Sequence, residues 1–83
     1  MNDLQKRVRT LALSETGFLF DPTTGHTYTV NRTGGEILRA LRDGTPEDEL
    51  TARITDAFDV AEADAERDVA AFVRQLRDYR LIA

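Results

Sequence analysis

Apolar and polar residues alternate along the first third of the chain, which is the pattern of β-strands that bury one face. Residues 8–14 mix β-forming residues with two leucines, and residues 18–20 place two phenylalanines on one face. In residues 26–30 the alternation turns Tyr28 and Val30 inward and the threonines outward. These three segments predict three strands.

Two short turns separate the predicted strands. Residues 15–17 contain a glycine and have the length of a hairpin turn. In residues 21–25, Pro22 presets its own φ and Gly25 supplies the positive φ that closes a turn. Strands joined by two tight turns predict an antiparallel meander.

From residue 31 onward the apolar residues follow the spacing of α-helices. Asn31 or Thr33 can cap the first predicted helix, and Gly44 suits the left-handed position that ends it. A second helix is expected to begin at Thr45. A third is expected over roughly residues 62–79, with acids in its first turns and arginines in its last, as the helix dipole favours.

The order of three strands and three helices, without a linker or a repeat, predicts one α+β domain over residues 1–83. Leu81 and Ile82 are expected to fold back onto its core. The chain has no cysteine, which excludes disulfides and thiolate metal sites and favours a reducing compartment. Neither a signal peptide nor an apolar run of membrane-spanning length is visible, so we expect a cytoplasmic protein without a membrane partner.

Charge is distributed unevenly along the chain. The net charge is −4, and residues 43–68 hold ten acidic residues against only Arg53 and Arg67. Nucleic-acid binding draws its affinity from cations that meet phosphates. The acidic segment would repel a duplex, so no nucleic-acid partner is expected.

Candidate catalytic and metal-binding residues do not form a recognisable site. His26 is the only histidine and adjoins a predicted turn, while Ser14 has no nucleophile motif around it. The Thr-Gly-Gly run at residues 33–35 lacks the rest of a phosphate-loop or dinucleotide pattern. The acids at residues 47–49 lack calcium-loop spacing. We therefore predict no catalytic residue, metal or cofactor, and a protein that is not an enzyme.

The two outer strands of the predicted meander differ in charge. Natural sheet edges are usually blunted by charged residues, proline or bulges. The start of the first strand carries Lys6, Arg7 and Arg9, whereas residues 27–30 have neither a charge nor a proline. The third strand is therefore predicted to accept a partner strand, unless a helix or the chain end covers it.

The last predicted helix has a lopsided apolar arc. On a helical wheel its core stripe consists of three residues, Val69, Val73 and Leu76. Phe72 and Tyr79 lie to one side of this stripe, with Asp68 and Gln75 just beyond them. This flank could line a groove beside the sheet; the alternative is that both aromatic side chains belong to a wide core.

Several segments in this order resemble the PqqD-like family. They are residues 17–21, the turn that ends at Gly25, and residues 28–38, 43–45 and 68–76. The likeness extends from about residue 8 to residue 82. The family supplies the recognition element in many pathways that modify ribosomally made peptides.

The resemblance implies a winged-helix-like domain in which three antiparallel strands are followed by three helices. In such proteins the leader segment of a precursor peptide adds as a further strand beside the third strand. Its side chains enter the groove with the third helix, and the core segment is presented to a modifying enzyme, often a radical SAM protein. Carried onto this sequence, the implied peptide-binding residues are Thr27, Tyr28, Thr29, Val30, Asp68, Phe72, Gln75 and Tyr79.

The chain departs from members dedicated to pyrroloquinoline quinone production, which typically carry tryptophan and a different second turn. It has no tryptophan, which counts against that pathway and leaves leader binding intact. Two alternative functions stay open. A DNA-binding winged helix is disfavoured by the acids at the start of the last helix, and a homodimerising interaction subunit would use the same open edge.

Overall fold

A short helix precedes the sheet. In the computed structural model, which describes residues 3–81, helix α1 spans Asp3–Arg9. The three strands follow as β1 (Ala12–Leu13), β2 (Phe18–Asp21) and β3 (His26–Thr29). They form one antiparallel sheet in the order β1-β2-β3, as the meander pattern predicted.

The prediction of a strand over residues 8–14 was wrong for most of that segment. The helix continues to Arg9, and β1 contains only two residues. Val8 is a buried residue of α1. This helix packs against the first helix after the sheet, residues 32–42. A single apolar residue among charges fits one helix face as well as it fits a strand, so the local pattern did not decide between them. Consequently, Arg7 and its neighbouring cations lie on α1 and not along the sheet edge.

The register of β2 decides which face of the sheet is buried. Leu19 pairs with Tyr28 and is buried, whereas Phe18 and Phe20 are 49% and 41% exposed. The two phenylalanines share a face, as period two requires, and that face is turned to solvent. Tyr28 and Val30 are half-buried on the inner face, as predicted.

The helices after the sheet are α2 (Arg32–Arg42), α3 (Leu50–Ala57) and α4 (Glu62–Asp78). Asn31 caps α2, because its Oδ1 accepts a hydrogen bond from the Gly34 N–H at 2.8 Å. Gly44 follows α2 with a positive φ of 93°, as predicted.

The second predicted helix begins later than expected. Residues 47–49 form a single 3₁₀ turn before α3, and that turn starts after Pro46 without a side-chain cap. Thr45 therefore does not act as its cap.

The core lies between the inner face of the sheet and the helices. It is built from Val8, Leu11, Leu19, Ile37, Leu38, Ala40, Leu41, Leu50, Ile54, Ala65, Val69, Val73, Leu76 and Leu81. Leu81 folds back onto the core as expected, while Ile82 lies outside the described residues. The result is the predicted α+β arrangement of three strands followed by helices, with α1 added in front. Within residues 3–81 no helix has the length and apolar character needed to cross a membrane.

Candidate functional site

A groove runs between β3 and α4. It encloses about 430 Å³. Residues 27–30 form one wall, and Phe72, Gln75 and Tyr79 from α4 form the other. The floor consists of three buried leucines, Leu19, Leu76 and Leu81. The structure thus brings seven of the eight predicted site residues to one groove.

The outer backbone of β3 is open. The Val30 N–H donates to the Gly17 carbonyl at 2.7 Å, and the Phe18 carbonyl accepts from Ser14 on the β1 side. Because bonded and non-bonded pairs alternate in an antiparallel ladder, Thr27 and Thr29 direct their N–H and C=O groups away from β2. Among residues 3–81, no other group hydrogen-bonds to these outward-facing groups. A short extended segment could pair there.

Two tyrosines stand at one end of the groove. The rings of Tyr28 and Tyr79 are 5.3 Å apart between centroids, with an angle of 35° between their planes. Tyr79 is 57% exposed, although it is an aromatic residue at the end of an otherwise amphipathic helix. An aromatic surface of this kind offers apolar contact to an incoming side chain.

Phe72 lies half-buried in the middle of the groove, where α4 approaches the start of α2. A Cβ atom on Gly34 would lie 2.6 Å from Phe72 Cε1 and 2.8 Å from Val30 Cγ1. Real Cβ atoms essentially never approach so closely. Gly34 is therefore part of the site because its missing side chain lets Phe72 and Val30 meet the helix start.

Asp68 lies beside the main groove and not within it. It lines a smaller cavity of about 210 Å³, together with Asn31, Thr33 and Gly34. This cavity shares Phe72 and Gln75 with the main groove, so the two are adjacent. The Asp68 carboxylate therefore adds negative charge at the polar end of a site whose other end is apolar.

The helical wheel pointed to Phe72, Gln75 and Tyr79 on α4, and the uncharged third strand pointed to residues 27–30, while two further parts of the groove were not predicted. The leucine floor could have been inferred from the core stripe, since Leu76 belongs to it. The role of Gly34 was only weakly indicated by the sequence. Two adjacent glycines near a helix start suggest that another part of the chain packs closely there, but they do not show that this part is Phe72.

The other candidate residues have ordinary structural roles. Ser14 Oγ accepts from the Phe18 N–H at 3.0 Å and lies 3.1 Å from Thr16 Oγ1, within the first turn. His26 Nδ1 lies 3.5 Å from the Tyr28 hydroxyl. In the described part of the chain, no three His, Cys, Asp or Glu residues are grouped as a metal site would need.

Another cavity, of about 610 Å³, lies between the first turn, α2 and the end of α3. Arg32 stands over the ring of Phe58 there, 5.7 Å from its centroid, and Glu36 and Arg39 line the same space. It is mixed in charge, with Arg32, Glu36 and Arg39 in its lining. The groove at β3 instead combines an open backbone with aromatic walls.

Asp21 is a buried carboxylate at the base of the β2–β3 turn, and it was not singled out from the sequence. Burial acts to raise its pKa, but a hydrogen bond from the Thr23 N–H at 3.0 Å and the Arg7 guanidinium at 3.5 Å act in the other direction. The net effect holds the pKa of Asp21 below its ordinary value. The carboxylate is thus kept charged where it fixes the turn that leads into β3.

Comparisons with known proteins give a family match and a solved structure of similar fold. A family model described as "Coenzyme PQQ synthesis protein D (PqqD)" matches residues 16–82. A solved structure described as "Lasso peptide synthetase B1 complexed with the leader peptide" superposes with a TM-score of 0.69. It is 31% identical in sequence, and the match covers 83% of this chain and 82% of that one. A search of curated proteins gives no match.

Proposed function

The chain belongs to the PqqD family, as the resemblance of its motifs predicted, and we propose that it binds the leader segment of a ribosomally made precursor peptide. The observation that carries the proposal is the groove of β3 and α4, with its open strand edge. The similar lasso peptide synthetase B1 is described as complexed with the leader peptide, which supports a peptide as the ligand class.

In this proposal the leader adds to the sheet as a fourth strand beside β3. The N–H and C=O groups of Thr27 and Thr29 would form the backbone ladder. Each such hydrogen bond contributes only about 0.5–1.5 kcal/mol net and carries little sequence information. The ladder therefore sets the direction and register of the leader more than its identity.

Specificity comes from the side chains that face the groove. One or two apolar leader side chains would contact Phe72 and Tyr79 above the leucine floor. Full burial of such a side chain contributes roughly 1.5–3 kcal/mol. Asp68 at the polar end would favour a basic leader residue, because a carboxylate attracts a cation there.

Ordering a flexible peptide costs part of this free energy. A net affinity of about micromolar to high nanomolar is expected for such a coupled process. The chain supplies binding without catalysis, and it would present the core segment of the precursor to a separate modifying enzyme, such as a radical SAM protein.

The proposal is tested by Phe72→Ala, measured with a fluorescently labelled synthetic leader peptide that copies the N-terminal segment of a candidate precursor found near the gene. Loss of the ring is expected to weaken binding by roughly 1.5–3 kcal/mol, about tenfold or more, because the buried contact is lost. Phe58→Ala is the matched control, since Phe58 is also a half-buried phenylalanine and lies in the other cavity. Equal affinities of folded Phe72→Ala and wild type would remove Phe72 from the site.

Homodimerisation is a second candidate function, and the same open edge of β3 favours it. Two copies could pair edge to edge without any peptide. A sedimentation series over protein concentration, with and without the leader peptide, separates the cases. A dimer that the peptide leaves intact would support the alternative.

A DNA-binding role is not supported by the charges on α4. Its first half exposes four carboxylates, those of Glu62, Asp64, Glu66 and Asp68. A helix that reads a DNA groove usually presents cationic or amide side chains there.

A further inference from the structure

Arg7 connects three separate parts of the chain at one end of the groove. Its Nη2 lies 3.5 Å from Asp21 Oδ2 at the base of the β2–β3 turn, and it donates to the Arg80 carbonyl at 3.1 Å. Its Nη1 donates to Thr10 Oγ1 at 3.0 Å, which orients the guanidinium. A side chain of α1 thus joins the hairpin that contains the open edge to the segment that follows α4.

The Arg80 carbonyl belongs to a helix end with an unusual backbone. Arg80 has a φ of 58°, in the left-handed region where glycine usually ends a helix. The Leu81 N–H donates to the Leu76 carbonyl at 2.8 Å, which is the long closing bond of a Schellman motif. Because a side chain at this position is disfavoured, the turn depends on contacts around it. The bond from Arg7 is one of these contacts.

This helix end also bounds the groove. Tyr79, just before Arg80, stands over Tyr28, and Leu81, just after it, is 1% exposed and forms part of the floor. A shift of the turn at Arg80 would therefore change the separation between Tyr79 and β3. The groove width at its aromatic end depends on where this turn is held.

We propose that Arg7 is a positioning residue for the groove, which holds the turn at Arg80 against the β2–β3 hairpin so that Tyr79 and Leu81 meet the peptide in one fixed arrangement. The inference rests on the proposed function. Arg7 lies on α1, before residues 16–82, the segment that the family model matches.

Three variants test the role. Arg7→Gln removes the charge and is too short to reach both partners, while Arg7→Lys keeps the charge but lacks the second nitrogen, which in Arg7 donates to Thr10. Arg9→Gln is the matched control: Arg9 belongs to the same helix, but its Nε donates to the Arg42 carbonyl at 3.4 Å, away from the groove. If Arg7→Gln does not fold, Arg7→Lys carries the test.

The first measurement uses the protein without peptide. Hydrogen exchange at the Leu81 amide, relative to the core amide of Leu38, is expected to rise about tenfold in Arg7→Gln, since a charge-assisted hydrogen bond is lost. Arg7→Lys should show a smaller rise, and Arg9→Gln none. If the substitution only destabilised the fold as a whole, exchange would rise at the Leu81 and Leu38 amides together.

The second measurement is the Kd for the same synthetic leader peptide. It is expected to rise about fivefold in Arg7→Gln and to stay unchanged in Arg9→Gln, because only the former loosens the groove end. A lowered Tm in Arg7→Gln, with the Leu81 exchange ratio and the Kd both unchanged, would overturn the role of Arg7 alone. If the wild-type protein does not bind the peptide, the proposed function itself is overturned.

Discussion

The two borders of the sheet differ in length and in what covers them. At the β1 border the strand has two residues, and Arg42 donates to the carbonyl of Leu11 just before it at 3.3 Å. Arg9 and Gln5 in turn donate to the Arg42 carbonyl, which ties α1 to the end of α2. At the β3 border the strand has four residues, and in the described part of the chain no side chain donates a hydrogen bond to its outer backbone as Arg42 does at β1. The β1 border is therefore closed by a side chain from a neighbouring helix, Arg42 of α2, and not simply by the charges that precede the strand.

The largest effect is expected from closing the β3 border. Thr29→Pro removes an N–H that faces outward and places a ring where a partner strand would lie, while the bonds to β2 remain. Leader binding is expected to fall by at least about tenfold, through lost hydrogen bonds and steric blocking. Fluorescence anisotropy with the synthetic leader peptide measures the change.

Thr29→Ala is the control for that variant, because it shortens the side chain and keeps the backbone donor. Its affinity is expected to stay within about twofold of wild type. In an NMR titration of the wild-type protein with the same peptide, amide resonances of residues 27–30 should shift more than those of residues 12–13. Larger shifts at β1 would mean that the peptide uses the other border.

Fold stability is expected to change at the two glycines Gly34 and Gly35 behind the open border. Gly34→Ala drives a Cβ into Phe72 and Val30 and is expected to destabilise the fold by about 1–3 kcal/mol, as overpacking does. In Gly35→Ala the nearest atom is Arg39 Nη1 at 3.5 Å, an ordinary contact. This neighbouring change should stabilise α2 by about 0.5–1 kcal/mol, since alanine is the better helix former.

The two substitutions are compared by chemical denaturation. They differ by one position in one helix, and the structure predicts opposite signs for them. Stabilisation by both would show that Phe72 can move away from the helix start freely, so that the groove has no fixed central wall.

The smallest effect is expected from acid titration of the hairpin that carries the open border. The folded state lowers the pKa of Asp21, so its stabilising contribution is complete above the unfolded pKa and is lost as the pH falls through the folded pKa. In Asp21→Asn this part of the acid-induced loss should be absent. Unfolding measured at several pH values below 6 checks this, and parallel curves for the two proteins would contradict it.

Local sequence patterns were sufficient to predict the open border, from the lack of charge and proline in residues 27–30, and the flank of α4, from its helical periodicity. Residues 27–30 alternate cleanly, and a helix as long as α4 shows its stripe over several turns, so Phe72 and Tyr79 could be placed to one side of it. Both features depend on neighbours close in the chain.

Features that depend on distant parts of the chain were not predicted. Period two gives Phe18 and Phe20 a common face but does not say which face is buried. The buried face instead carries Leu19 and Asp21, and the Asp21 charge is matched by Arg7 from α1. Since that pairing joins elements that are not adjacent in sequence, no local pattern could reveal it.

The two-residue length of β1 has a consequence for crowded solutions. A sheet with two unpaired edges can extend without limit by adding further copies of the chain at both edges, which is how fibrils grow. Because β1 has only two residues and Arg42 donates to the Leu11 carbonyl beside it, the four-residue β3 edge is the longer place in residues 3–81 at which another copy could join. Self-association through the sheet would then stop at dimers. The chain can therefore leave the β3 edge open for a partner strand without starting the growth of fibrils.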